Sequence, residues 1–405
     1  MRLLLITNEF PPIGGGGSSV LQYAARYLTE EHGHEVTVVT SSYRNLPRRE
    51  WVGRVQIIRV PAVRRYKDFC ATWELVTYGL SALAYCLWFV PRYRPDLIQA
   101  YFALPGGFVA WILRALYGTP YVLYFGGSDM PGANPTRYKN VYPFIRGLIR
   151  RIWRGARVST VCSEGLLKLG RSLDPQHDFR LVPNGVELVR FVPVERPPNP
   201  VVNVLFIGRL IPRKGFQYIV RALPRVRELT TVSFEVEVVG SGAMRTRLDG
   251  LAATLGVSHL IKYIGTIPYA ELHRAYQAAD IFVLTSESEG MPCATLEAMA
   301  CGLPVVTTDI PGNQEIVQEG KNGFLVPVGD TERLAQALAW LIRDPALRRR
   351  MGTESRRVVQ PYDWHDIVRR YEAIFREVLG QSQRASRVAL RASSAAPVRL
   401  KARND

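Results

Sequence analysis

A chain of 405 residues, 47% hydrophobic and 21% charged, is longer than one ordinary core and too apolar for a disordered or collagen-like polymer. Its formal net charge of +17 is compatible with an anionic surface, but no recognised binding motif interleaves with the basic residues, so no nucleic acid is expected. The five cysteines, at 70, 86, 162, 293 and 301, show no C-x-x-C spacing, and only four consecutive apolar residues precede Thr7, too few for a signal peptide; reduced thiols in a cytoplasmic protein are the expectation.

Residues 3–7 read as a first strand. The loop after it carries Gly14, Gly15, Gly16 and Gly17, which permit positive φ and close approach of a ligand to exposed amides. This is not the G-x-G-x-x-G dinucleotide fingerprint. An amphipathic helix follows from Ser18, with that serine available as its cap. Further short strands are expected at 35–40, 55–60, 96–99, 121–125 and 157–161, separated by helical stretches. Within 69–90 the sixteen residues from Leu75 carry no charge, which is short of a membrane span and reads as a helix buried in, or at the edge of, the first domain. Residues 137–157 hold seven Arg or Lys and no acid. There Ile145, Leu148, Ile149 and Ile152 recur at helical spacing opposite Arg146, Arg150, Arg154 and Arg157, a pattern that fits either an anionic membrane surface or an ordinary surface helix.

Four prolines between 191 and 200 mark a linker. The strand–helix alternation then resumes, with strands expected at 201–207, 234–239, 261–263, 281–284, 304–307 and 323–326, which makes the fold class α/β twice over. After the first of these comes Gly208-Arg209-Leu-Ile-Pro-Arg-Lys214-Gly215. A guanidinium fork and an ammonium at the carboxyl end of a strand suit a diphosphate leaving group, although cations in a turn are also commonly just solvated.

The segment from Glu289 to Glu297 has Gly290 and Pro292 breaking regular structure before a run of helix formers that ends at Gly302. A helix beginning near Pro292 leaves the amides of Cys293, Ala294 and Thr295 without helical partners and favours a phosphate there. Glu289 in the loop and Glu297 on the helix are acceptor-only groups able to take paired hydroxyls. Taken alone, the pair fits a solvated helix residue and a dipole partner equally well. The chain closes with a helix reaching about residue 380 and an Arg-, Ser- and Ala-rich segment, 381–405, expected to be disordered.

Two glutamates separated by seven residues, together with Arg209 and Lys214, resemble the hallmark of family-4 type retaining glycosyltransferases, and the resemblance runs over nearly all of 1–380. It implies the GT-B fold, two Rossmann-like domains facing each other across a cleft. An acceptor-binding domain would occupy 1–192 and a nucleotide-sugar-binding domain 193–365, with a helix over 366–380 returning to the first. It also implies that Glu289 contacts the donor sugar and Glu297 the ribose, that Arg209 and Lys214 take the diphosphate, and that Gly16 and Gly17 face the donor phosphates. Backbone near 265–267 would meet the base. Where many relatives carry histidines, this chain reads Gln99-Ala-Tyr101 and Gly126-Gly-Ser-Asp129; Asp129 and Tyr101 remain as groups for the acceptor hydroxyl, Asp129 equally as a loop cap.

The implied activity moves a hexose from a UDP- or GDP-sugar to an acceptor glycan or lipid, with retention and with no metal or other cofactor. No D-x-D triplet is present, and cations with helix amides supply positive potential. An epimerase or phosphorylase on the same fold, or a non-catalytic membrane-recruited nucleotide-sugar-binding protein, fits the same residues.

Overall fold

The computed structural model describes residues 1–67, 70–127, 129–133, 142–197 and 199–394. Its strands are built from short, almost wholly apolar runs. In β1 (Arg2–Ile6) everything from Leu3 to Ile6 is buried, as a parallel strand covered by helices on both faces requires. With β2 (Glu35–Ser41), β3 (Arg49–Val52), β4 (Val55–Val60), β5 (Leu97–Tyr101), β6 (Tyr121–Phe125), β7 (Val158–Val161) and β8 (Phe179–Leu181) it forms an eight-stranded sheet ordered β3-β4-β2-β1-β5-β6-β7-β8. All neighbours are parallel except β3 and β4, which form a hairpin closed at Val52 and Val55.

The second sheet is wholly parallel and ordered β11-β10-β9-β12-β13-β14. Its strands are β9 (Val202–Ile207), β10 (Phe234–Val239), β11 (Ile261–Gly265), β12 (Ile281–Leu284), β13 (Val305–Thr308) and β14 (Gly323–Val326). Each sheet reverses its direction of growth once, between β1 and β5 in the first and between β9 and β12 in the second. The loops leaving neighbouring strands at such a point diverge to opposite faces and open a crevice at their carboxyl ends. Two parallel α/β sheets of this kind make the fold GT-B, as the sequence implies.

Two helices, the first and the last, differ from the reading above, and the uncharged one agrees with it. The first, Gly16–Glu30, starts inside the glycine run with Gly15 as its N-cap. Ser18 is therefore not the cap; it is buried in the first turn, where its hydroxyl donates to Gly15 O at 2.6 Å. The uncharged stretch is the helix Thr72–Tyr93, which buries only the stripe Glu74, Tyr78, Ala82, Cys86 and Val90 and so lies at the domain edge. The final helix, Trp364–Ser394, runs past 380, so 381–394 is helical where disorder was expected, and 395–405 lie outside the described residues.

That last helix packs on the first domain. Trp364 stacks on Tyr23 at 5.6 Å between ring centroids, and Ile367, Tyr371 and Phe375 share a core with Leu3, Leu5 and Val36. Arg356 ties the linker to the second domain by donating to Phe191 O and Ala300 O, both at 2.8 Å.

Candidate functional site

The order of the second sheet explains why residues 75 apart in sequence meet. β9 and β12 are neighbours, pairing Val204 with Ile281 and Leu205 with Phe282, so the loops after both emerge together. The first loop turns through a short 3-10 helix, Pro212–Lys214, and then Gly215 at φ 73°. A side chain at Gly215 would collide with Thr285 O, and the Thr285 hydroxyl donates to Gly215 O at 2.8 Å. The Glu287 amide also donates to Arg213 O at 2.8 Å. These contacts fix the Lys214 loop against the Glu289 loop.

In that setting Lys214 Nζ donates to Glu289 Oε1, while the Arg213 guanidinium lies 3.9 Å from Oε2 and donates to Ser288 O. Burial by itself would raise the Glu289 pKa, but the charges of Lys214 and Arg213 outweigh it and hold the carboxyl below its usual range. Glu289 is thus an ionised acceptor beside a cation, in a nearly buried position.

The helix Cys293–Ala300 begins directly after Pro292, as its glycine and proline punctuation predicts. One detail is corrected: the Thr295 amide donates to Pro292 O at 3.1 Å, so only Cys293 and Ala294, among the described residues, keep first-turn amides without a backbone acceptor. Glu297 projects from this helix into a buried site where it accepts from Tyr269 at 2.8 Å and Tyr276 at 2.7 Å, one tyrosine on each oxygen. Burial raises its pKa to about 7, against the opposing effect of the two hydroxyls. Each carboxylate oxygen retains one further acceptor direction.

The first domain supplies the other wall. Within the glycine run Gly15 is nearest the second domain, with space for a β-carbon about 3.9 Å from Arg209 Nε, whereas Gly16 and Gly17 face open space. Backbone at Gly126 and Gly127 rests directly on Gly290, leaving no room there for a side chain. Asn184, buried in the linker-proximal loop, joins the two sides: it accepts from Tyr124 at 2.9 Å and donates to Met291 O at 2.8 Å. The Ser288 hydroxyl adds a bond to Ala133 O at 3.2 Å.

Asp129 is buried and accepts from the Gly126 amide at 3.2 Å, which is the loop-capping arrangement. Tyr101 is not available to an acceptor, contrary to expectation; it is 1% exposed and packs on Tyr124 at 4.9 Å. Beside 265–267 lies a cavity of about 330 Å³ lined in part by Val239, Ile264, Thr266 and Ile267. Among the described residues no group of three or more His, Cys, Asp or Glu is placed to hold a metal ion.

Sequence reading did not single out Arg213, Asn184, Tyr269 or Tyr276. The two tyrosines are seven residues apart on one helix, Tyr269–Ala278, and this two-turn spacing places both on the same face.

A crevice at the carboxyl ends of β9 and β12, holding an ionised glutamate beside a lysine and facing a glycine loop of a second α/β domain, defines a GT-B transferase site. Residues 14–190 match Glycosyltransferase Family 4 and residues 193–358 match Glycosyl transferases group 1. A putative colanic acid biosynthesis glycosyltransferase of Escherichia coli (strain K12) is 30% identical over 286 residues, covering 66% of this chain and 68% of that protein. A GDP-mannose-dependent alpha-(1-6)-phosphatidylinositol monomannoside mannosyltransferase of Mycobacterium tuberculosis (strain CDC 1551 / Oshkosh) is 27% identical over 401 residues, covering 90% of this chain and 96% of that one. In fold, the chain superposes on sucrose-phosphate synthase from Thermosynechococcus elongatus with a TM-score of 0.84 at 24% identity, covering 94% of this chain and all of that one. The chain belongs to the group 1, family-4 type glycosyltransferases.

Proposed function

We propose that this glycosyltransferase moves a hexose from UDP or GDP to an acceptor hydroxyl on a glycan or lipid of the cell envelope, with retention and without a metal. The observation that carries this reading is the Lys214–Glu289 pair at the β9/β12 switch point with Arg209 turned toward Gly15. Glu289 would take sugar hydroxyls and Glu297 the ribose. Arg209, Lys214 and the Cys293 and Ala294 amides would take the diphosphate as its charge grows, which places positive potential where the leaving group needs it. The base would sit at 265–267, beside the cavity there. The acceptor oxygen would form its bond to the anomeric carbon on the face from which the diphosphate departs, and its proton would pass to the departing phosphate. The GDP-mannose dependence of the mycobacterial relative supports a nucleotide-sugar donor.

Asp129 accepts from the Gly126 amide, so in this reading it would hold the Gly126 loop that borders the acceptor. The protein would work on the cytoplasmic side of a membrane, drawn to anionic lipid by the basic helix Tyr142–Gly155, on which Arg146 and Arg151 are exposed.

The test is turnover. UDP- and GDP-hexoses are screened with lipid and soluble acceptors, products are weighed by mass spectrometry, and Glu289→Ala and Lys214→Ala are compared with the parent protein. Both variants should fold and lose transfer. Parent-like turnover in either, or a product formed with donor alone or with phosphate, would replace this reading.

A further inference from the structure

The outward side of the helix Thr72–Tyr93 is as apolar as the side it buries. Val76, Leu80, Ala84 and Trp88 follow one another a turn apart opposite the buried stripe, and Leu80 is 64% exposed. From Leu75 to Pro91 there is no charged residue. A helix facing water ordinarily carries its charges on this side. The helix Phe108–Tyr117 packs beside it and ends in exposed Leu116 and Tyr117; the helix Tyr142–Gly155 packs beside that one and carries exposed Phe144 in its first turn. The three form one continuous layer on the first sheet.

Charge on this layer has one sign. Its single acid, Glu74, is buried and accepts from the Arg65 amide at 2.9 Å and the Ala71 amide at 2.7 Å. Around the apolar strip, the Arg65 guanidinium lies 5.3 Å from the Trp73 ring and that of Arg92 lies 4.6 Å from the Trp88 ring, with Arg146 and Arg151 exposed on the third helix. Apolar side chains bordered by arginines and tryptophans, with no exposed acid among the described residues of the three helices, match the boundary between acyl chains and anionic headgroups. A spanning helix would have to strip the buried stripe from its core, so the fitting geometry is one that lies in the interface.

We propose that this three-helix layer is a monotopic docking surface for an anionic lipid bilayer, with Val76, Leu80, Ala84 and Trp88 entering the interface. This deepens the membrane placement given above, from attraction by one basic helix to insertion by the helix Thr72–Tyr93 in the same layer. The docked end adjoins the cleft: the loop leading into Thr72 meets the glycine loop through the Gly14 amide and Lys67 O at 3.0 Å. A lipid-borne hydroxyl would therefore arrive beside the proposed acceptor side.

The experiment is co-sedimentation of the full chain with vesicles of phosphatidylcholine containing about a third phosphatidylglycerol, against phosphatidylcholine alone. The parent protein should partition onto the anionic vesicles, and a Leu80→Glu/Trp88→Glu variant with an unchanged thermal midpoint should lose about tenfold or more of that partitioning. Should that variant fail to fold, brominated lipids provide the second readout: they should quench the parent's tryptophan fluorescence, and Trp88→Phe should remove part of the quenching. Unaltered partitioning of the folded double variant, with loss in Arg146→Glu/Arg151→Glu, would reduce the contact to charge and overturn insertion. A parent dimer that the Leu80→Glu/Trp88→Glu change makes monomeric, with vesicle binding intact, would assign the face to a second copy instead. Consumption of nucleotide sugar with a soluble acceptor reads the transferase assignment separately and should not change in these variants.

Discussion

Glu297 offers a perturbation whose size follows from its surroundings. Its carboxyl is buried between Tyr269 and Tyr276 and titrates at about 7 instead of 4.5, which corresponds to about 3 kcal/mol at 1.36 kcal/mol per pKa unit. The folded state keeps this proton through a window in which the unfolded chain has already released it. The resulting stability is full below about 4.5, falls as pH rises through about 7, and is absent above that. Glu297→Gln removes the ionisation while keeping an amide oxygen for one tyrosine. Urea denaturation from pH 5 to pH 8.5 should then show the difference between variant and parent growing in the variant's favour by about 2.5 kcal/mol. Donor binding should move the other way: a ribose that donates to Glu297 needs the ionised form, so parent affinity should drop about tenfold per pH unit below about 7, while the variant binds weakly and without that dependence. Parallel stability profiles for the two proteins, or a pH-independent parent affinity, would refute the reasoning.

Other outcomes follow from the same geometry. Asn184→Ala removes a buried bridge and leaves both Tyr124 OH and Met291 O facing the gap; it should cost about 2–3 kcal/mol in chemical denaturation and weaken donor binding through the displaced Glu289 loop. Gly215→Ala places a β-carbon on Thr285 O at a positive φ and should cost at least about 2 kcal/mol, enough to read as a lowered urea midpoint. Lys214→Met removes the largest charge opposing the burial of Glu289, so its pKa should rise, which a shift of the pH profile for residual donor binding would register; an unmoved profile would show that Lys214 does not set the charge of Glu289.

Much of this was legible in the chain because parallel strands covered on both faces are apolar runs bounded by glycine and proline. The strands that carry the site, β1, β9 and β12, are of that kind. The two strands not anticipated are of a different kind. β3 is a short, largely exposed edge strand carrying Arg49 and Glu50, and β8 has three residues. The Val52-Gly53-Arg54-Val55 turn, with Gly53 at φ 58°, was the available signal for the first of them. At the site, the motif residues could be picked out one constellation at a time, but their contact depends on strand order. Nothing local to Lys214 reports that β12 lies beside β9, and nothing near Glu297 reports two tyrosines on a separate helix. Arg213 was passed over because an arginine beside a lysine in a turn reads as solvated until Ser288 and Glu289 are brought to it. Tyr101 was misread because a strand-end tyrosine looks exposed until the aromatic core around Tyr124 closes on it.

In the proposed site, carboxylates of the second domain hold sugar and ribose while neighbouring cations hold the diphosphate. A crystal structure of the protein with an intact UDP- or GDP-hexose measures this directly. Sugar hydroxyls are expected on Glu289, ribose hydroxyls on Glu297, and phosphate oxygens on Arg209, Lys214 and the Cys293 and Ala294 amides. A donor bound elsewhere, with the Lys214–Glu289 pair undisturbed, would contradict it.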